Sequence, residues 1–385
     1  MIGKIRARFS NPWKNRAAGY SSIMLYRPYG KTGKNISAIS AGCMRFRTPM
    51  TTAIMDESAA ILLRAYEKGV NYFDTAPIYC DDRSEEILGL AVRGMKPGTF
   101  YVSTKSLAPD GDTLRKALEK SLARMGVSRI HFFHIWCLIS AADWEGRKRG
   151  GAVRAALRAK EEGLIDHLVF STHMSGAETA RVIGEGVFEG MTIGYSAINF
   201  PYRRDGVEAA GKAGLGVVTM NPLAGGVIPR HADRFKFIRG PADPDVVSAA
   251  IRFNISHPAI TSALIGFSRP EEVDHAVAAL DGFTPYDAAF VASIEKNIEA
   301  KFDGLCTGCG YCLPCPKDIP IPKYMDAYNM MVLEGRHSVA PRLKWHWSLT
   351  AKDAERCDAC GRCEAECTQG LPIIERLRAI RSVEP

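Results

Sequence analysis

Eight cysteines fall between positions 306 and 367, in two runs: Cys306-x-x-Cys309-x-x-Cys312-x-x-Cys315-Pro316 and Cys357-x-x-Cys360-x-x-Cys363-x-x-x-Cys367. The segment that carries them, 304–385, is dense in Cys, Pro and Gly, with helical patterning only over Lys323–Glu334 and Pro372–Arg381. It is too short and too polar to hold a sizeable core, so something other than apolar burial must organise it. Thiolates spaced this closely on a tight loop reach different corners of one cube of iron and sulfide, and Gly308, Gly310 and Gly361 let the backbone curl around it. Paired Cys₄ zinc sites also use Cys-x-x-Cys, but their pairs are usually separated by longer gaps. The spacing therefore points to two [4Fe–4S] clusters. In two-cluster ferredoxins the last Cys of each run serves the other cluster. That rule assigns Cys306, Cys309, Cys312 and Cys367 to one cluster, and Cys357, Cys360, Cys363 and Cys315 to the second. Two departures are visible: Thr368 follows the last cysteine where Pro is usual, and the first run is one residue short before Cys315.

The other three cysteines, Cys43, Cys80 and Cys137, stand alone, and such crowding in a cytosolic chain argues for metal rather than disulfides. No run approaches the roughly 18 to 20 apolar residues of a membrane span. The cations near the N-terminus have no apolar stretch behind them, so a cytoplasmic location is expected. The net charge of +8 is scattered, which argues against nucleic acid as a partner. Only a basic arm over 1–25 is locally short of acids.

Between residues 36 and 283, β-rich apolar runs alternate with amphipathic helical stretches. Strands are expected at Ser37–Cys43, Val70–Asp74, Thr99–Lys105, Ile130–Trp136, His167–Ser171, Ile193–Asn199, Gly216–Met220 and Ser262–Gly266, each followed by a helical pattern. Eight such units match an α/β fold of the (β/α)₈ TIM-barrel type. The Gly-x-Gly-x-x-Gly signature of a doubly wound dinucleotide fold is missing after the first strand. The expected organisation is a barrel over 26–300 and a small, loop-rich, ferredoxin-like iron–sulfur domain over 301–385. Ser140–Gly150 reads as a loop.

Active sites of such barrels lie at the C-terminal ends of the strands. Those ends supply Asp74, with Tyr79 just beyond it, then Lys105 and His134. A buried Lys paired with Asp would lower the pKa of a neighbouring Tyr, making its phenol a usable proton donor.

Several segments resemble the aldo/keto reductase family: Tyr26–Gly42, Phe73-Asp-Thr-Ala-x-x-Tyr79, Ser84-Glu-Glu-Ile-Leu-Gly89, Ser103-Thr-Lys105, Gly216–Gly226 and Ile265–Glu272. The cysteine-rich tail is similar to the branch of that family with a ferredoxin domain. The resemblance implies a small carbonyl substrate, Tyr79 as general acid, Lys105 and Asp74 as its tuning pair, and a nicotinamide hydride donor. Ser171 and Asn199 would lie near the nicotinamide. The loop Asn221–Gly226, with Leu223 and Gly225, and the loop Gly266–Ser268 would hold its phosphates. Other positions depart from the family pattern. The family's catalytic His falls on Trp136, with His134 two residues earlier on the same strand face. Its Asn after the fifth-strand Ser falls on Thr172, and its carboxamide-binding Gln on Ser196 or Ala197. Its adenine-side Arg and Asn fall on Glu272 and Ala276, and a carboxylate at Glu272 would repel a 2′-phosphate.

Nicotinamides exchange two electrons at once, whereas [4Fe–4S] clusters pass one, so exchange between them needs a splitter such as a flavin. The sequence carries no flavin signature, and a flavin stays open. Two readings follow. One is a carbonyl reductase using NAD(P)H. The other is an electron-transfer module served by a ferredoxin or flavoprotein, its barrel a scaffold or host to a different cofactor. A weaker third places Trp136, His134 and Trp144 around an aromatic pocket for a substrate without a carbonyl.

Overall fold

The computed structural model describes residues 24–301, 304–306 and 308–383. The basic arm expected over 1–25 lies almost wholly outside the described residues.

A hairpin opens the chain, β1 (Tyr26–Pro28) pairing antiparallel with β2 (Asn35–Ser37). Eight parallel strands then close into a barrel: β3 (Ile39–Gly42), β4 (Tyr72–Asp74), β5 (Tyr101–Ser106), β6 (Ile130–Leu138), β7 (Ile165–Thr172), β8 (Gly190–Gly194), β9 (Gly216–Met220) and β10 (Ser262–Gly266), with β10 bonded to both β9 and β3. The helices between them bury one face on the barrel. In Gly111–Met125 the buried Leu114, Leu118, Ser121 and Met125 recur at helical spacing. Asp110 caps that helix by accepting from Thr113 N at 2.9 Å, and Gly126 ends it in the left-handed region at φ 65°.

The eight-unit alternation expected from the sequence is what forms, with three local differences. The hairpin was not expected; it carries the buried Tyr29 across the N-terminal end of the barrel, where a Cβ on Gly190 or Gly216 would collide with its ring. The sixth strand is Gly190–Gly194 rather than Ile193–Asn199. The apolar run beyond Gly194 is buried as a turn, in which Ser196 N and Oγ bond the Asn199 side chain. Ser140–Gly150 is not a loop: Ser140 caps a helix, Ala141–Arg149, whose polar sequence buries only Trp144 and Arg147. Trp144 is 2% exposed, packs on Phe188 and donates to Glu185, so the aromatic pocket proposed to include it does not form.

The tail builds its own small core around Ile319, Tyr324, Met325, Leu343, Leu371 and Leu377, against which Cys306, Cys312, Cys315, Cys357 and Cys367 pack. Its helices Ile321–Glu334 and Ile373–Arg381 match the two patterned segments of the sequence. No helix among the described residues is long and apolar enough to cross a membrane.

Candidate active site

Asp74 ends β4, and the parallel neighbours β5 and β6 bring Ser103, Lys105 and His134 beside it. Lys105 Nζ lies 2.5 Å from Asp74 Oδ2, with both side chains 4% exposed. Ser103 Oγ donates to Asp74 Oδ1 at 2.8 Å and lies 2.9 Å from His134 Nε2. Tyr79 follows on a segment in which Ile78, Cys80, Asp81 and Asp82 all have positive φ, a backbone that non-glycine residues adopt only under constraint. Lys105 Nζ lies 5.4 Å from the Tyr79 ring centroid. The expected lowering of the Tyr79 pKa does not occur. Burial pushes the phenol well above its usual value and the Asp74 carboxylate adds to this, so Tyr79 stays protonated.

Asp74, Tyr79 and Lys105 line a cavity of about 570 Å³ at the C-terminal end of the barrel. Ser171, Asn221, Leu223, Gly225, Gly266 and Ser268 line it too. His134 and Asn199 do not. His134 is fully buried behind Ser103, and desolvation with the nearby Lys105 charge holds it down to about 4. Asn199 lies beyond β8 and donates to Gln369 in the tail at 2.8 Å. Trp136 faces the cavity, its ring edge-on to Tyr79 with centroids 5.6 Å apart. At the other end of the cavity, Glu272 accepts from Ser268 N at 2.8 Å and from Ser268 Oγ at 3.1 Å. A carboxylate of the chain thus holds the loop that would hold phosphate.

One wall comes from the tail. Cys309 and Tyr311 line the same cavity as Tyr79 and Lys105. Tyr311 packs with Ala76, Trp136 and Cys137, bonds the Cys137 sulfur, and sets its ring 4.6 Å from His173. Thr368, the departure after the last cysteine, joins the two parts. Its Oγ1 lies 3.2 Å from Cys309 Sγ, and its carbonyl accepts from the fully buried Arg203 of the barrel.

The cysteines gather in two groups. Cys315, Cys357, Cys360 and Cys363 line one space, and Cys312 lines it too. Cys306 and Cys312 sit in the field of Cys309 and Cys367, and burial with these thiols pushes both up to about 12. Cys306 and Cys312, so raised, would need positive charge beside them to act as thiolate ligands, which an iron core supplies.

The sequence pattern of the Aldo/keto reductase family matches residues 38–299, and that of the 4Fe-4S dicluster domain matches 305–371. The chain belongs to the aldo/keto reductase family. It is 23% identical to L-galactose dehydrogenase of Arabidopsis thaliana over 66% of this chain and 87% of that protein. It is 32% identical to aflatoxin B1 aldehyde reductase member 2 of Rattus norvegicus, over 45% of this chain and 50% of that protein. An aldo-keto reductase from Bacillus halodurans in its holo form shares the fold, with a TM-score of 0.60 at 21% identity over 71% of this chain and 96% of that one. The chain is thus an oxidoreductase of this family fused to an iron–sulfur domain.

Within the family frame, the cavity holds residues that the sequence did not single out. His173 reaches it from the end of β7; it is 6% exposed and its Nδ1 has no hydrogen-bond partner among the described residues. Tyr311 completes that side together with Cys309, which the sequence marked only as a cluster ligand, and Arg203 donates to the His173 carbonyl at 3.5 Å. No spacing within the sequence joins residue 203 to residue 368; only the folded barrel does.

Proposed function

We propose that the protein reduces a small carbonyl compound in the barrel cavity, with Tyr79 as proton donor to the developing alkoxide. The observation that carries this is the buried Asp74–Lys105 pair, 2.5 Å apart, at the strand ends beside a protonated tyrosine. The pair fixes charge at the cavity floor where water cannot screen it, and Tyr79 carries the proton such a reduction needs at oxygen. The aldehyde reductase and dehydrogenase names of the relatives support a carbonyl–alcohol couple. A nicotinamide would supply the hydride, held by Ser171, Asn221, Leu223, Gly225 and Gly266; Glu272 disfavours the 2′-phosphate of NADPH. Two [4Fe–4S] clusters would be held by Cys306, Cys309, Cys312 and Cys367, and by Cys315, Cys357, Cys360 and Cys363. Titrating anaerobically purified protein with NADH and NADPH tests the cofactor through fluorescence quenching, and Tyr79→Phe tests the acid. Loss of roughly 10²–10⁴-fold in turnover is expected; unchanged turnover removes the assignment.

A second reading is favoured by Cys309 and Tyr311 in the cavity wall. Here the barrel hosts a cofactor fed by the clusters, such as a flavin, and a ferredoxin or flavoprotein supplies the electrons. Full function in Tyr79→Phe would support it.

A further inference from the structure

We propose that Arg203 poises the quartet Cys306, Cys309, Cys312 and Cys367 as an inner redox centre that serves the barrel cavity, the other quartet being the outer, electron-accepting one. This rests on the two-cluster reading and on the second reading above, in which the cavity hosts a cofactor fed by the clusters.

Arg203 follows the turn after β8 and is 0% exposed. Its Nη2 donates to the Thr368 carbonyl, and at 3.5 Å to that of His173. Its Nε and Nη1 are buried with no hydrogen-bond partner among the described residues. Burying a guanidinium with two nitrogens, and so three N–H bonds, unsatisfied is costly unless an anion faces it. Burial lowers its pKa to about 10; the acidic groups that act on it are Tyr202, whose ring centroid lies 5.2 Å from its Cζ, and then Cys309 and Cys367, both of the inner quartet. Thr368 Oγ1 adds a contact to the Cys309 sulfur. A cluster gains one negative charge on reduction, so a fixed buried cation and hydrogen bonds to its sulfurs stabilise the reduced form.

The outer quartet has more mixed surroundings, its space being lined by both Arg362 and Asp358. Cys360 is exposed, and Asp358 between Cys357 and Cys360 carries a negative charge, its pair with Lys317 at 3.4 Å lying in solvent. An external low-potential one-electron carrier meets this side first. When loaded, the outer quartet would pass one electron taken from that carrier on to the inner quartet, the outer being reoxidised as the inner is reduced, with no proton moved. The inner quartet places Cys309 in the wall of the cavity that Tyr79 and Trp136 also line. A conjugated ring able to take single electrons, of the flavin or quinone class, would there meet its donor.

The test is a redox titration of the anaerobic holoprotein followed by electron paramagnetic resonance, reduced methyl viologen supplying electrons. Arg203→Met should lower one of two midpoints and move the electron of half-reduced protein to the other centre by roughly tenfold or more. Arg203→Lys should keep most of the wild-type distribution. Thr368→Val, which leaves the guanidinium in place, should lower the same midpoint if Arg203→Met loads iron poorly. Asp358→Asn should raise the other midpoint. Should Arg203→Met and Thr368→Val, with full iron and sulfide, shift both midpoints equally or neither, the inference is wrong. Should the wild type itself show fewer than two reducible centres, the two-cluster reading is what fails.

Discussion

Glu272 sets its carboxylate 2.8 Å from the backbone N–H of Ser268, at the start of the helix Pro270–Ala278. Free N–H groups at a helix start attract phosphate; here the chain's own anion already holds one. Glu272→Gln should therefore tighten NADPH about tenfold, and NADH less, because only NADPH carries the extra phosphate. Fluorescence titration reads both constants. Equal gains for the two would place the effect elsewhere than the 2′-phosphate.

Lys105→Met leaves the Asp74 carboxylate buried without its cation. The expected cost is about 3–5 kcal/mol in urea unfolding of the barrel. Most of it should return in the double variant Asp74→Asn, Lys105→Met, which removes both charges. A double variant as unstable as the single one would mean that packing, not charge, sets the loss.

His134 gives the barrel a pH dependence of definite sign. Its folded pKa of about 4 lies below the usual 6.5 of a histidine, mainly through burial. The unfolded chain binds the proton first, so this contribution is complete above about 6.5, is lost as pH falls toward 4, and does not change further below that. The loss amounts to as much as about 3 kcal/mol. Unfolding measured at pH 7 and pH 4.5 should show a smaller difference in His134→Gln than in the wild type.

Anaerobic iron removal should uncouple the two parts. The tail core is small and its cysteines pack directly on it, so residues 304–383 should lose protection from hydrogen exchange. The barrel strands should keep theirs. A tail that stays protected without iron would show that its apolar core suffices.

Much of this was legible in the residues. The period-2 and period-3.6 alternation gave eight units because each element buries one face on the same core. Asp74, Tyr79 and Lys105 were found because strand ends converge in any barrel of this kind. The hairpin was hidden by its brevity, and the helix Ala141–Arg149 by a sequence with almost no apolar face. Asn199 was misplaced because a buried turn and a buried strand can share an apolar pattern. His134 was correctly put on the inward face of β6, but that face has depth: residue 136 reaches the cavity and residue 134 stops beneath it. Arg203, His173 and Tyr311 were missed because their meeting depends on how the tail seats against the barrel.

That seating makes the reaction chamber a composite, since Tyr311 and Cys309 supply a side that the barrel lacks. A newly made chain whose tail has not yet received its iron and sulfide would own a finished barrel with one flank undefined. Supply of the inorganic cofactor would then act as a licence for turnover.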